Sequence, residues 1–232
     1  LALVYSDTPT DPDSWHWSGY VDVGLAIAPH LMKHEDTWYI FYGDRAHPSS
    51  TNPDGWPIAV ASASSVAGPY TYLHEVLATG PAGSWESFRV DEPTVFQHND
   101  GHWILMYMAE RGSTDEQVGY ATADNLLGTY TKYAGNPCIP FGPVGSYDRG
   151  TVADPWVYEY NGVYYIGYTV SPTIHSPWQT ALATTTNWTT FTKHGIILPS
   201  GSEFNSFRGA VTRIGDEYVF SYTGGPASGQ YR

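Results

Sequence analysis

The chain has 232 residues, of which 41% are hydrophobic and 16% aromatic, and its formal net charge at pH 7 is −13. This length and composition fit a folded protein with a substantial core and exclude a disordered chain. Only three residues are lysine. Binding of a nucleic acid backbone needs clustered Lys and Arg, so we expect no nucleic acid partner.

No stretch approaches the eighteen apolar residues of a membrane-spanning helix, and the N-terminus lacks a basic region followed by an apolar one. We therefore expect a soluble protein with no membrane partner, from which any signal peptide has been removed. Gly and Pro number 24 and 17, and short alternating runs bounded by turn residues dominate over helical spacing. This pattern predicts an almost entirely β protein.

Taken in chain order, residues 1–24 predict the outer strands of a four-stranded unit. Complete units of two hairpins follow at residues 25–80, 85–140 and 147–199, and residues 204–232 predict the inner strands of another. One phrase recurs in these units: a short head, two apolar residues, a turn, and an aromatic strand that ends in Tyr. Its copies lie at 28–42, 92–107, 154–168 and 209–222.

The first residues of these copies lie 64, 62 and 55 residues apart, a spacing typical of a repeated supersecondary unit. Four-stranded units of this size can close radially as a β-propeller, with the first strand of each unit along the axis. We predict an all-β fold, a β-propeller of four-stranded blades in one domain. The five-bladed type is favoured, as a whole or partial ring; the alternative is a ring closed as four blades by the two half-units.

Functional residues are expected at the heads of the inner strands, which are the first residues of each repeated segment. In a propeller these heads converge at one end of the central channel. Glu92 and Asp154 each precede a Pro, which suits a strand entry where a ladder hydrogen bond is absent. A turn ahead of a strand is the plainer explanation of one acid–Pro pair, but its repetition favours a site of converging charges. We predict Glu92, Asp154 and Asp91 as catalytic residues and Arg208 as substrate-binding.

Segments 90–96 and 152–157, each followed by a turn and an aromatic strand, resemble the five-bladed β-propeller glycoside hydrolases of family 43 and of the related families 32, 62, 117 and 130. Segments 119–130 and 28–30 are also similar to that family. The resemblance implies cleavage of glycosidic bonds in a plant or microbial glycan, as by arabinofuranosidases and xylosidases. It implies an oligosaccharide or polysaccharide partner and no organic cofactor, with a structural calcium or sodium ion possible in the channel.

The family places an Asp general base on the first blade, an Asp that tunes the acid on the third and a Glu general acid on the fourth. If the Ala28 head is the second blade, Glu92 stands at the tuning Asp and Asp154 near the Glu acid, while the base would precede Leu1. The two acid types are therefore exchanged relative to the family pattern. The chemistry needs one carboxyl group that protonates the leaving oxygen and one carboxylate that activates water.

Two charged pairs follow inner hairpins at equivalent strand exits, Asp44 with Arg45 and Glu110 with Arg111. Surface ion pairs are the plainer explanation, and contacts to sugar hydroxyls are the functional one. We predict all four residues as substrate-binding.

Most tryptophans are expected in the core, but Trp85 and Trp178 lie in loops, where an aromatic face can stack on a sugar ring. His30, at a head, is a further substrate-binding candidate, although a local hydrogen bond explains it as well. The histidines lack zinc-type spacing, so no metal site is predicted among them.

Two other functions stay open from the sequence. One is a carbohydrate-binding propeller that has lost its catalytic acids, and the other is a phosphorylase, which would need basic residues around its pocket. The acidic, lysine-poor composition and a polymeric substrate favour an extracellular or periplasmic location.

Overall fold

The computed structural model describes residues 2–8, 11–14, 16–112, 116–174, 177–200 and 205–225. Within these ranges the regular structure is β-strand, apart from one short 3-10 helix at Pro12–Ser14. The strands form antiparallel sheets of four or two strands. The predicted all-β fold of four-stranded units is therefore confirmed. No helix in the described ranges is long and apolar enough to cross a membrane.

Three sheets have four strands in sequence order. The first contains β3 (Ala26–His34), β4 (Thr37–Asp44), β5 (Ile58–Ala63) and β6 (Thr71–Leu77). The second contains β7 (Arg89–Gln97), β8 (Trp103–Glu110), β9 (Gln117–Ala123) and β10 (Thr131–Lys132). The third contains β11 (Thr151–Tyr160), β12 (Val163–Ser171), β13 (Gln179–Thr185) and β14 (Thr192–Leu198).

Two sheets have two strands each in the described residues. One pairs β1 (Ala2–Tyr5) with β2 (His16–Tyr20), and the other pairs β15 (Asn205–Ile214) with β16 (Glu217–Gly225). The part of the predicted range 204–232 beyond residue 225, together with residues 1 and 204, lies outside the described residues. The division of the chain into the ranges given above stays a prediction.

Consecutive sheets pack through their inner strands, as the blades of a propeller do. Strand β7 packs on β3 and β4, β11 packs on β7 and β8, and β15 packs on β11 and β12. The starts of β3, β7, β11 and β15 are thereby brought to one end of the molecule. This arrangement positions the site described below.

The core lies between the sheets, in clusters of apolar and aromatic side chains. Tyr107 and Tyr168, which close two copies of the repeated phrase, are fully buried, as are Leu105 and Ile166. Complete burial of a large apolar side chain stabilises the fold by about 1.5–3 kcal/mol. The repeated aromatic strands therefore supply the packing that holds neighbouring blades together.

Candidate active site

The heads of four inner strands meet at a cavity of about 360 Å³. Each strand contributes its head residue to the wall: Ala28 from β3, Glu92 from β7, Asp154 from β11 and Arg208 from β15. The convergence expected for a propeller therefore brings two acids and one arginine from three different blades into one site.

All four head residues have the same unusual backbone conformation. Each lies at a β-bulge where the inner strand shifts register against its neighbour. The angle φ is 44° at Ala28, 54° at Glu92, 48° at Asp154 and 53° at Arg208. A left-handed φ costs a non-glycine residue on the order of 1–3 kcal/mol. Because Ala28 adopts it too, the bulge belongs to the fold, and the residue within it decides the chemistry.

Glu92, Asp154 and Arg208 form one charged cluster. Arg208 Nε lies 3.0 Å from Asp154 Oδ1, and Arg208 Nη2 lies 4.0 Å from Glu92 Oε1. The backbone N–H of Asp154 donates a hydrogen bond of 2.6 Å to Glu92 Oε2. Only 10% of the Glu92 side chain and 11% of the Asp154 side chain are exposed, against 55% for Arg208. The Arg208 side chain is therefore much more exposed to solvent than the two acids.

Burial raises the pKa of Glu92 well above the usual glutamate value. The negative charges of Asp154, Asp91 and Glu116 raise that pKa further, whereas Arg208 lowers it. Asp154 in turn raises the pKa of Arg208, which stays charged. The site therefore holds one carboxyl group that tends to keep its proton beside an acid that is ion-paired with an arginine.

A second charged cluster lies behind the head of β7. Arg89 contacts three carboxylates: its Nη1 is 3.2 Å from Asp91 Oδ2, its Nε is 3.0 Å from Glu110 Oε1, and its Nη2 is 3.2 Å from Glu116 Oε1. Burial raises the pKa of Asp91 to about 6, although Arg89 and the N–H of Glu92 lower it. The three acids around a single arginine make this region strongly negative.

A smaller cavity of about 220 Å³ adjoins this second cluster and shares Glu92, Asp154 and Arg208 with the larger one. Arg89 and Trp178 are also part of its wall, which is completed by Glu116, Thr151, Ala153 and Thr169. The two cavities therefore have these three residues in common, and both acids line each cavity.

Comparison with known proteins agrees with this geometry. The sequence pattern of the family described as Glycosyl hydrolases family 43 matches residues 6–210. The chain belongs to this family. Membership supports a glycoside hydrolase function over a sugar-binding protein without catalysis. No curated protein matches the chain.

Solved structures similar to this family-43 chain include a thermostable family-43 glycoside hydrolase, with a TM-score of 0.70 and 18% identity over 92% of this chain and 75% of that one. An endo-1,4-β-xylanase from Bacteroides thetaiotaomicron has a TM-score of 0.65 and 18% identity, over 90% of this chain and 72% of that one. A family 117 glycoside hydrolase from the marine bacterium Zobellia galactanivorans has a TM-score of 0.65 and 18% identity, over 89% of this chain and 68% of that one. At this identity the similarities establish the propeller fold.

The other predicted site residues of the family-43 chain fall in several places. Asp91 is only 1% exposed and lines neither cavity described above, because one carboxylate oxygen accepts the Glu92 N–H and the other contacts Arg89. His30 lines the larger cavity, and burial lowers its pKa to about 4, so its imidazole is neutral at pH 7. Glu110 is buried against Arg89.

Asp44 and Arg45 are not brought to either cavity. Asp44 is buried, and its carboxylate accepts the N–H groups of Ala46 and His47 at 2.8 and 3.2 Å, which closes the turn after β4. Arg45 is exposed, with its guanidinium 4.1 Å from the centre of the Trp56 ring. Local contacts thus account for both side chains.

The two loop tryptophans differ. Trp178 lines the smaller cavity, whereas Trp85 lines neither cavity and packs instead on Tyr107, with ring centres 6.1 Å apart. The loop before β7 is folded onto the core, which explains why its tryptophan is partly buried. Arg111 is exposed at the end of β8.

Sequence reasoning missed Arg89, Glu116 and Thr169. Arg89 and Asp91 are two residues apart on β7, so strand alternation places them on one face and could have indicated the pair. Glu116 and Thr169 reach the site from the β8–β9 loop and the end of β12, and Thr169 Oγ1 accepts the Arg208 N–H at 3.2 Å. No local sequence pattern marks these two positions.

Proposed function

We propose that the protein hydrolyses glycosidic bonds of an arabinose- or xylose-containing glycan, with Glu92 as the proton donor and Asp154 as the carboxylate that activates water. The observation that carries this proposal is the proton-retaining Glu92 carboxyl group beside the Asp154–Arg208 ion pair at a cavity wall. Two acids in unlike environments are the usual basis for dividing the acid and base roles.

Glu92 suits the role of general acid because its raised pKa lets it keep its proton to a higher pH than an ordinary glutamate does. Protonation of the bridging oxygen lets the C–O bond break with a neutral hydroxyl as the leaving group. Asp154 then takes a proton from the water that attacks the anomeric carbon, so the bond and proton changes balance. A correctly placed acid or base typically contributes about 10²–10⁴-fold to the rate.

Arg208 lies where its positive charge acts unequally on the two acids. It lies closer to Asp154 than to Glu92, at 3.0 against 4.0 Å, so its charge chiefly compensates Asp154. Its exposed guanidinium also offers donors to sugar hydroxyls. We propose Trp178, at the smaller cavity, as an aromatic surface for the sugar ring.

The test compares the parent with Glu92→Gln and Asp154→Asn on aryl arabinofuranosides, aryl xylosides, arabinan and xylan. We expect kcat for Glu92→Gln to fall at least about 10²-fold on the polymers. It should keep most of its activity on a dinitrophenyl glycoside, whose leaving group needs no proton. Asp216→Asn, in the exposed turn between β15 and β16, is the control. Equal losses of Glu92→Gln on both substrate types would contradict the proton-donor role.

We also propose that the substrate is a polymeric glycan met outside the cytoplasm and that no organic cofactor takes part. The acidic, lysine-poor sequence supports the location. Cell fractionation tests the location, and activity of protein purified without added cofactor tests the chemistry.

A further inference from the structure

Arg89 and the buried Asp91 form an ion pair that is one hydrogen bond away from Glu92. The backbone N–H of Glu92 donates to Asp91 Oδ1 at 2.7 Å, while Asp91 Oδ2 lies 3.2 Å from Arg89 Nη1. On its other side, the Glu92 carboxyl group accepts the Asp154 N–H. The main chain of Glu92 is therefore hydrogen-bonded to Asp91, and its side chain is hydrogen-bonded to Asp154 on the neighbouring blade.

The bulge itself does not require this charge cluster. All four heads have the same left-handed conformation. The residues that precede them are Ile27, Asp91, Ala153 and Phe207. Three heads therefore form without a carboxylate in that position, and the one that has it carries Glu92. The carboxylate at position 91 is therefore particular to the Glu92 head and is not needed to form the bulge.

We propose that Asp91 and Arg89 are positioning residues that hold the Glu92 carboxyl group in its working place, a proposal that rests on the proposed function of Glu92. Arg89 orients Asp91, and Asp91 orients the main chain of Glu92. Glu110 and Glu116 hold the other nitrogens of Arg89. A displacement of about 1 Å in a catalytic group can lower a rate about 10²-fold.

Gly43 offers an independent way to move Asp91. This glycine lies in β4, against the Asp91 carboxyl group, and a Cβ atom placed on it would lie 2.8 Å from Asp91 Cγ and 3.0 Å from Ile27 Cγ1. Such contacts are too short, so Gly43→Ala must displace neighbouring atoms, of which those of the Asp91 carboxyl group are the nearest. This variant leaves every ionisable group of the cluster in the chain.

The experiment measures thermal unfolding of Gly43→Ala, Asp91→Asn, Asp91→Ala and Arg89→Lys, and their kcat and KM on arabinan or xylan, whose sugar leaving group needs a proton from the general acid. We expect kcat to fall about tenfold to a hundredfold with KM within about twofold of the parent. Asp91→Asn keeps an oxygen that can accept the Glu92 N–H, so its kcat should fall less than that of Asp91→Ala. Gly112→Ala, where a Cβ meets open space, and Asp148→Asn, a buried ion-paired aspartate elsewhere, are the matched controls.

The pH profile separates positioning from a loss of stability alone. Asp91 raises the pKa of Glu92, together with Asp154 and Glu116 and against Arg208. Removal of its charge in Asp91→Asn should therefore move the alkaline limb of kcat to lower pH, which a purely structural residue would not do. Gly43→Ala should have a lower kcat than the parent even though it retains every charged group of the cluster.

The outcomes distinguish the two proposals. If Glu92→Gln keeps the parental kcat on the polymer, the proposed function fails. If Glu92→Gln is inactive while Gly43→Ala and Asp91→Asn fold and keep the parental kcat, the positioning role is overturned. If Gly43→Ala does not fold, Asp91→Asn decides alone, because it changes one atom and no volume.

Discussion

Asp91→Asn should change how stability depends on pH. Burial raises the pKa of Asp91 from 3.8 to about 6 in the folded protein. A carboxyl group with a raised folded-state pKa binds its proton more tightly when folded. Its contribution is therefore fully present below the unfolded pKa and is lost as the pH rises through the folded pKa. Between about pH 4 and pH 6 the parent should become less stable because Asp91 must ionise in the core.

The magnitude follows from the shift. A raise of about two pKa units corresponds to about 3 kcal/mol of unfolding free energy. Asn carries no proton to lose, so the difference in stability between Asp91→Asn and the parent should move by about 3 kcal/mol in favour of the variant between pH 3.5 and pH 7. Glu92 adds to this change in the same direction, because loss of the Asp91 charge brings its raised pKa down.

The measurement is urea unfolding of both proteins at half-unit pH steps, with Asp216→Asn as the reference for a single exposed charge. The slope of free energy against urea concentration should be the same for parent and variant, so that the midpoints report stability. A difference between variant and parent that stays constant from pH 3.5 to pH 7, or grows in favour of the parent, would refute the reasoning.

Two further variants test the packing and the substrate cavity. Gly167→Ala should destabilise the fold by at least about 1–3 kcal/mol, since its Cβ would overlap the ring of Trp156, and urea unfolding measures the loss. Trp178→Ala should raise KM several-fold with kcat and the unfolding midpoint little changed, because its ring lies at the wall of the smaller cavity; an unchanged KM would remove it from the sugar site.

The sequence allowed prediction of the fold because the repeated phrase encodes local structure. Alternation, turns and an aromatic strand recur with each blade, and buried Tyr107 and Tyr168 show why the aromatic positions repeat. Glu92, Asp154 and Arg208 could be placed together for the same reason, since their position in the repeat determines their position in the ring.

The rest of the site could not be predicted because it depends on how loops fold back. Glu116 joins the Arg89 cluster from a loop, and Trp85 turns into the core rather than toward the cavity. Neither outcome follows from a local pattern of residue types. The charges of Asp154 and Glu116, which help to raise the pKa of Glu92, likewise lie far from it in sequence.

The exchanged acid types are consistent with catalysis once geometry is separated from residue identity. The four heads share one backbone conformation, so a carboxyl group at any head points into the same region whether it belongs to Asp or Glu. At position 92 the extra methylene of Glu lets its carboxyl group reach the backbone N–H of Asp154 on the next blade. An Asp there would be shorter by one carbon. The hydrogen bond between the Glu92 carboxyl group and the backbone of residue 154 therefore depends on having the longer acid on β7, whereas the side chain on β11 takes no part in it.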